Sequence, residues 1–207
     1  MEMRLLTREE IALAYERDLK PAFPESELKP LWAIEQMLSE GEYRPWGLFD
    51  GEELVGEAFL WTHVPRFALF DYLCVRADRR NDGLGALLIE KLLEAERGNV
   101  VFGEAEIPQY APDREMAERR LEFYRRCGVR QAGYDTSIFG VPYHTLYWFD
   151  IEVPDALLCA AHEQTYRSRF VPAAYDRFLR IPWDESMGLT EKVEWTEEDH
   201  RHEDIVL

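Results

Sequence analysis

The segment at residues 73–95, LCVRADRRNDGLGALLIEKLLEA, constrains this chain most, because it reads as strand, glycine turn and helix in immediate succession. An apolar run ends at Val75 and a polar loop follows. From Gly83 onward Leu84, Leu88 and Leu92 recur on one helical face, with Leu87 beside them. The first amides of a helix entered this way have no intrahelical partner, and their dipoles add to the positive end of the macrodipole. A phosphate is the natural ligand of such a turn. Gly83 and Gly85 let the backbone approach a ligand where a β-carbon would intrude.

Two glycines before a helix also occur in α/β proteins that bind nothing at the turn, so the flanking residues decide. The GxxxxGKS/T phosphate loop is absent, since no Lys-Ser or Lys-Thr follows, and the dinucleotide fingerprint GxGxxG fails because Leu88 stands at its third glycine. What remains is Val75, then Arg80, two further residues, and Gly83-Leu84-Gly85-Ala86. This resembles the R/Q-x-x-G-x-G/A signature of the GNAT-type N-acetyltransferase family. The resemblance implies acetyl-CoA as cosubstrate, with its pyrophosphate at this turn. The cofactor residues would be Leu73, Cys74, Val75, Arg80, Asn81, Asp82, Gly83, Leu84, Gly85 and Ala86. The loop departs from the family in its Arg79-Arg80-Asn81-Asp82, because Asp82 sets a negative charge beside the expected pyrophosphate. Its backbone amide still serves, and Arg76, Arg79 and Arg80 are expected to balance the charge.

The chain has 207 residues, 46% of them hydrophobic, enough for one full core with a small appendage. A formal net charge of −17 argues against nucleic acid, which needs a basic face, and leaves a cationic partner or a solvating surface. Cys74, Cys127 and Cys159 are odd in number and widely spaced, which suits a reducing cytoplasm better than a disulfide framework. The amino terminus lacks an apolar core, and no stretch approaches the ~20 apolar residues of a membrane span. The expectation is a cytoplasmic protein with no membrane partner, and monomer and homodimer both stay open.

In chain order the pattern predicts a strand at 3–6 and a helix from Thr7, capped by Glu10 three residues on, reaching about 20 before Pro21 and Pro24 stop it. A second helix is expected from Ser26 or Glu27 to Ser39, ending at Gly41. Strands at 46–49 and 54–61 form a hairpin around Asp50-Gly51. A central strand follows at 67–75, and another at 99–107 comes after the glycine-turn helix. Asp113 caps a helix reaching Cys127, with Gly128 past its end. Strands at 131–138 and 143–149 close the sheet.

This order also resembles the GNAT architecture: a mixed, mostly antiparallel sheet, splayed between its fourth and fifth strands and flanked by helices. The resemblance covers residues 1–150 as an acyl-CoA N-acyltransferase domain. Residues 151–207 read as an extension, helical from about 155 to 170 and ending in an acidic tail.

A second constellation is LEFYRRCGV at 121–129. Gly128 after a helix ending in Arg-Arg-Cys is ordinary capping, and on periodicity Phe123 and Tyr124 read equally as core aromatics. Its form resembles the family's FYxxxGF segment, with Val129 in place of the last Phe. That resemblance implies that Tyr124 donates a proton to the departing CoA thiolate. An asparagine the family often carries a turn earlier has no counterpart, since Ala117 and Arg120 lie in that region. Direct transfer needs no protein nucleophile, so Cys74 reads as a buried apolar thiol.

For the base, Glu104 and Glu106 share one strand face, and Asp71 interrupts an apolar strand, where a carboxylate is suited to accept a proton. Water is an alternative. His63, His144, His162, His200 and His202 show no metal-ligand spacing, so no metal is expected. The leading reading is transfer of acetyl from acetyl-CoA to a primary amine, a small molecule or a peptide, with a cationic acceptor the sharper form. The alternatives are a catalytically silent CoA-binding module, and a structural role in which the acidic tail recruits a basic partner. The acceptor's walls are expected at 23–29, 61–66 and 134–147.

Overall fold

The structure is a computed structural model that describes residues 1–24 and 27–192. It is a mixed α/β fold whose strands are mostly antiparallel and carry helices beside them. The chain divides into two compact units, Met1–Asn99 and a second beginning at Val100.

In the first unit, β1 (Glu2–Leu5), β2 (Tyr43–Asp50), β3 (Glu53–Trp61) and β4 (Phe67–Val75) form an antiparallel meander. The β2–β3 hairpin turns at Gly51-Glu52, with Asp50 paired to Glu53 and Gly51 supplying the positive φ, one position on from the expected Asp50-Gly51. Helix α1 (Arg8–Ala14) opens with the expected capping box: Thr7 Oγ1 accepts from the Glu10 amide at 3.3 Å and Glu10 Oε2 accepts from the Thr7 amide at 2.8 Å.

Pro21 does not stop this helix. A π-helical turn, Tyr15–Leu19, intervenes and the chain restarts as α2 (Lys20–Ala22), which puts Pro21 in a first turn, where its missing N–H has no partner to lose. Helix α3 (Leu31–Ser39) begins later than expected, because Pro30 forces the residue before it out of helical conformation and then serves as the N-cap. Ser26 lies outside the described residues.

Helix α4 (Leu84–Ala95) carries the glycine turn at its start. It buries Leu84, Leu88, Ile89 and Leu92, each worth roughly 2 kcal/mol. It packs on β3 where Gly56 has no side chain: a β-carbon there would stand 3.4 Å from Leu88 and 3.1 Å from the Cys74 carbonyl. Beside Gly56, Glu57 is 0% exposed, and neither carboxyl oxygen finds a hydrogen-bond partner among the described residues.

The second unit orders its strands β5 (Val100–Glu106), β7 (Val141–Trp148), β6 (Arg130–Ile138) and β8 (Leu179–Trp183), each antiparallel to its neighbour. Helix α5 (Arg114–Arg126) is capped by Asp113, whose carboxylate accepts from the Met116 amide at 2.9 Å. Helices α6 (Asp155–Arg167) and α7 (Pro172–Phe178) follow β7 in the same unit. Strand β8, which pairs with β6, is an addition that the helical reading of 155–170 and beyond did not contain. Its residues alternate buried Leu179, Ile181 and Trp183 with more exposed Arg180 and Pro182, and a proline suits a strand paired on one side only. The acidic tail at 193–207, with His200 and His202, lies outside the described residues.

Burial raises the Glu57 carboxyl well above the ordinary carboxylate range, with Asp18 adding to the rise and Arg17 opposing it. Folding therefore favours the protonated acid. That stability is complete below the unfolded value of about 4.5 and is lost as pH climbs toward the folded value. Glu57→Gln, neutral throughout, is expected to gain on the wild type steadily above that pH, by about 2–4 °C in Tm for each kcal/mol. Melting curves whose separation does not change with pH would contradict this.

Candidate functional site

Strand β4 ends at Val75, and the chain reaches α4 through a 3₁₀ turn at Ala77–Arg79. Asn81 and Gly83 then take left-handed backbone conformations, with φ of 72° and 77°. Asparagine tolerates this region, and glycine enters it without strain. Gly83 is the N-cap of α4, no side chain caps that helix, and a β-carbon built on Gly83 would meet nothing within 4 Å. The turn thus presents the amides of Leu84, Gly85 and Ala86 on an open side. A diphosphate fits this arrangement, with the helix dipole behind it.

Of the three arginines expected to balance Asp82, only Arg79 approaches its carboxylate, at 3.7 Å, and it also binds Asp50 at 3.1 Å. Arg76 is committed to Glu53 and Asp78 at 2.7 and 2.6 Å. Arg80, exposed, folds back so that its Nε donates to the Val75 carbonyl at 3.2 Å. Cys74 points away from the surface that Leu73 and Val75 share. Its thiol lies 3.6 Å from the Asp18 carbonyl, so only its backbone faces a ligand at the turn. Burial, then the neighbouring Glu57, pushes this thiol up to about 12, which keeps it un-ionised and unsuited to nucleophilic attack.

Asp71 sits where the β3–β4 register slips: Phe59 pairs with Tyr72 and Leu60 with Phe70, leaving Asp71 as the extra residue of a bulge. A bulge re-aims side chains that strict alternation would send to opposite faces. The Asp71 carboxylate binds the Lys29 ammonium through both oxygens, at 2.7 and 2.8 Å, and accepts a short hydrogen bond from the Tyr43 hydroxyl. The ammonium lies 5.3 Å from the centre of the Trp61 ring and 5.5 Å from that of Tyr72. Tyr72 fixes the loop as well: its hydroxyl accepts from the Lys29 amide at 2.8 Å and donates to the Glu27 carbonyl at 3.0 Å. Residues from two of the expected acceptor walls, Lys29 and Trp61, therefore meet at Asp71.

In the second unit Glu104 and Glu106 do share a face of β5. Glu106 Oε2 accepts from Arg120 Nη1 at 3.1 Å. Glu104 Oε1 lies 2.7 Å from His162 Nε2 and accepts from the Tyr166 hydroxyl at 3.0 Å. His162 was given no partner by its sequence spacing. The signal was present in the one-turn interval between His162 and Tyr166, which sets both on one face of α6. Tyr124, on α5, packs on a cluster of Ala105, Leu121 and Leu146 and meets the Trp148 ring edge-on at 5.7 Å. Burial raises its phenol, so it holds its proton at neutral pH. Among the described residues no group of histidine, cysteine or carboxylate side chains forms a metal site.

A family model described as Acetyltransferase (GNAT) family matches residues 9–129. The chain is 26% identical over 162 residues to "Putative acetyltransferase YjbC" of Bacillus subtilis (strain 168), covering 74% of this chain and 79% of that protein. A solved structure from Bacteroides thetaiotaomicron, given the same description within the GNAT family, superposes with a TM-score of 0.66 at 20% identity, covering 79% of this chain and 95% of the other. An aminoglycoside 6'-N-acetyltransferase complexed with coenzyme A superposes with a TM-score of 0.52 at 17% identity, covering 75% and 100%.

Gly83→Glu places a charged side chain on the open side of the turn and is expected to weaken coenzyme A binding by at least about 10-fold, more than the loss from strain alone. Gly83→Asn, which tolerates the left-handed backbone, serves as the control for folding. Calorimetry that finds unchanged affinity in a folded Gly83→Glu protein would refute the assignment.

Proposed function

From its membership of the GNAT acetyltransferase family, which makes this chain an acetyl-CoA-dependent acetyltransferase, we propose that its acceptor is a primary amine carrying positive charge. The observation that carries this reading is the ammonium of Lys29 at Asp71. A carboxylate engaging through both oxygens, a tyrosine hydroxyl, and the faces of Trp61 and Tyr72 compose the chemistry that recognises a primary ammonium. Cation–π contact adds roughly 0.5–2 kcal/mol to such a site. The same groups suit a cationic acceptor, and the formal charge of −17 favours its approach. Two further features agree: one structural neighbour is titled an aminoglycoside 6'-N-acetyltransferase, and the three free cysteines suit a reducing, cytoplasmic setting.

Bound acetyl-CoA supplies the acetyl group as a thioester. The amides of Leu84, Gly85 and Ala86 hold its diphosphate, with Arg80 free to turn from the Val75 carbonyl toward it. The acceptor amine gives up a proton to a carboxylate or to water, its nitrogen bonds the acetyl carbon as the carbon–sulfur bond breaks, and Tyr124 gives its proton to the sulfur. Tyr124 is fitted for this by the burial that keeps it neutral. Cys74 takes no part, in keeping with direct transfer.

The test is thiol release from acetyl-CoA with an amine panel. Diamines and polyamines are expected to exceed uncharged-tail amines of equal length by roughly 10-fold or more in kcat/KM, with the advantage shrinking as salt screens it. Asp71→Asn should abolish the preference. Uncharged-tail amines that match polyamines would overturn the cationic reading. Separately, Tyr124→Phe is expected to lower kcat by roughly 10²- to 10⁴-fold with little change in Tm, the range of acid–base assistance. Full activity in that variant would return Tyr124 to a packing role.

A further inference from the structure

We propose that His162 and Tyr166 are positioning residues that hold Glu104 as the acceptor's proton-taking group, so that helix α6 completes the catalytic machinery; this rests on the acetyl-transfer reading above. Helix α6 lies outside the span matched by the family model, which ends at residue 129.

Apart from Glu106 at its end, the rest of strand β5 is an apolar core strand: Val100, Val101, Phe102 and Ala105 are all buried. A leucine at 104 facing an apolar residue at 162 would pack without desolvating anything, and a buried carboxylate–histidine contact is weak evidence of stabilisation. The chain instead buries His162 completely and turns it onto a carboxylate that is itself 15% exposed. The network is closed at the back and open at the front.

The hydrogen bonds give the carboxylate a fixed orientation. An ionised Glu104 has no proton to give, so His162 Nε2 carries the hydrogen of the 2.7 Å contact. His162 Nδ1 is then the acceptor, 3.3 Å from the Tyr134 hydroxyl on β6. Burial raises the Tyr134 phenol, which keeps that donor protonated. The imidazole is also held edge-on against Phe102, with ring centres 5.1 Å apart. Tyr166 adds its hydroxyl to Glu104 Oε1 at 3.0 Å and reaches Oε2 only at 3.2 Å. Oε1 is anchored by two donors, while Oε2, met only by the longer Tyr166 contact, retains lone-pair capacity. Oε2 takes the amine proton as the nitrogen bonds the acetyl carbon, and the sulfur that leaves is protonated by Tyr124. No oxidant, metal or further reactant enters.

The test uses a double-mutant cycle read by thiol release from acetyl-CoA with a reacting amine. His162→Met keeps the volume and removes the donor; it is expected to lower kcat on the order of 10²-fold while leaving the KM for acetyl-CoA unchanged. His162→Gln restores an N–H donor and should recover most of that loss. Tyr166→Phe, which deletes one oxygen, should give the same pattern at smaller size and keeps the test open should His162→Met fail to fold. In a Glu104→Gln background, where no carboxylate remains to be positioned, neither substitution should reduce kcat further. Losses that multiply independently of Glu104, or a His162→Gln protein no better than His162→Met, would overturn the proposal and leave the acetyl-transfer reading intact. A wild-type protein that releases no thiol with any amine would overturn both.

Discussion

The amino end of helix α4 is the constraint on which the first unit depends. The helix is held down by four buried aliphatic side chains and by the close approach that Gly56 permits, yet its first turn is left without a side-chain cap. Side chains satisfy the first turns of two other helices, Thr7 and Glu10 at α1 and Asp113 at α5, while α3, α6 and α7 begin with proline or valine at the N-cap and no side-chain cap. A serine or aspartate at position 83 would supply the same service, worth about 1 kcal/mol. Glycine in the left-handed region forgoes it and keeps the space beyond the amides clear. A helix start that is rigidly placed and electrostatically unfinished suits an anion, which is the basis for proposing the diphosphate there.

The second departure from regularity is the bulge at Asp71. In an uninterrupted strand Asp71 and Tyr72 would face opposite sides of the sheet. The extra residue lets both serve the Lys29 loop, one through its carboxylate and the other through its hydroxyl. Sheet irregularity of this kind is commonly found beside functional sites, where re-aiming one side chain matters more than one ladder bond. Here it gathers a carboxylate, two aromatic faces and a phenol around one ammonium. The resulting chemistry, more than the net charge of the chain, carries the proposal of a cationic amine as acceptor.

Much of this was legible in the residues because it is set locally. The β2–β3 hairpin, the Thr7–Glu10 box, the Asp113 cap, strand β4 and the glycine turn each depend on a few consecutive positions, and each stands where its chemistry puts it, the hairpin turn to within one position. What escaped depends on distant partners. The bulge is a matter of register between two strands, so no feature of FALFDYLCV alone announces it. His162 and Glu104 lie 58 positions apart and meet only because α6 folds onto β5. Strand β8 is five residues long and includes a proline, a pattern too short and too weak to separate from the helix before it. Pro21 misled for the opposite reason: a strong local rule was overridden when a π-helical turn restarted the helix just before it.

Whether coenzyme A meets the open turn of α4 is measured most directly by residue-resolved amide exchange with and without the ligand. The amides of Leu84, Gly85 and Ala86 begin without intrahelical partners and should exchange freely in the absence of ligand. On saturation with coenzyme A they are expected to become protected together, while the amides deeper in α4, already paired within the helix, change little. Protection that appears elsewhere while residues 84–86 continue to exchange freely would contradict the assignment of this turn as the diphosphate site.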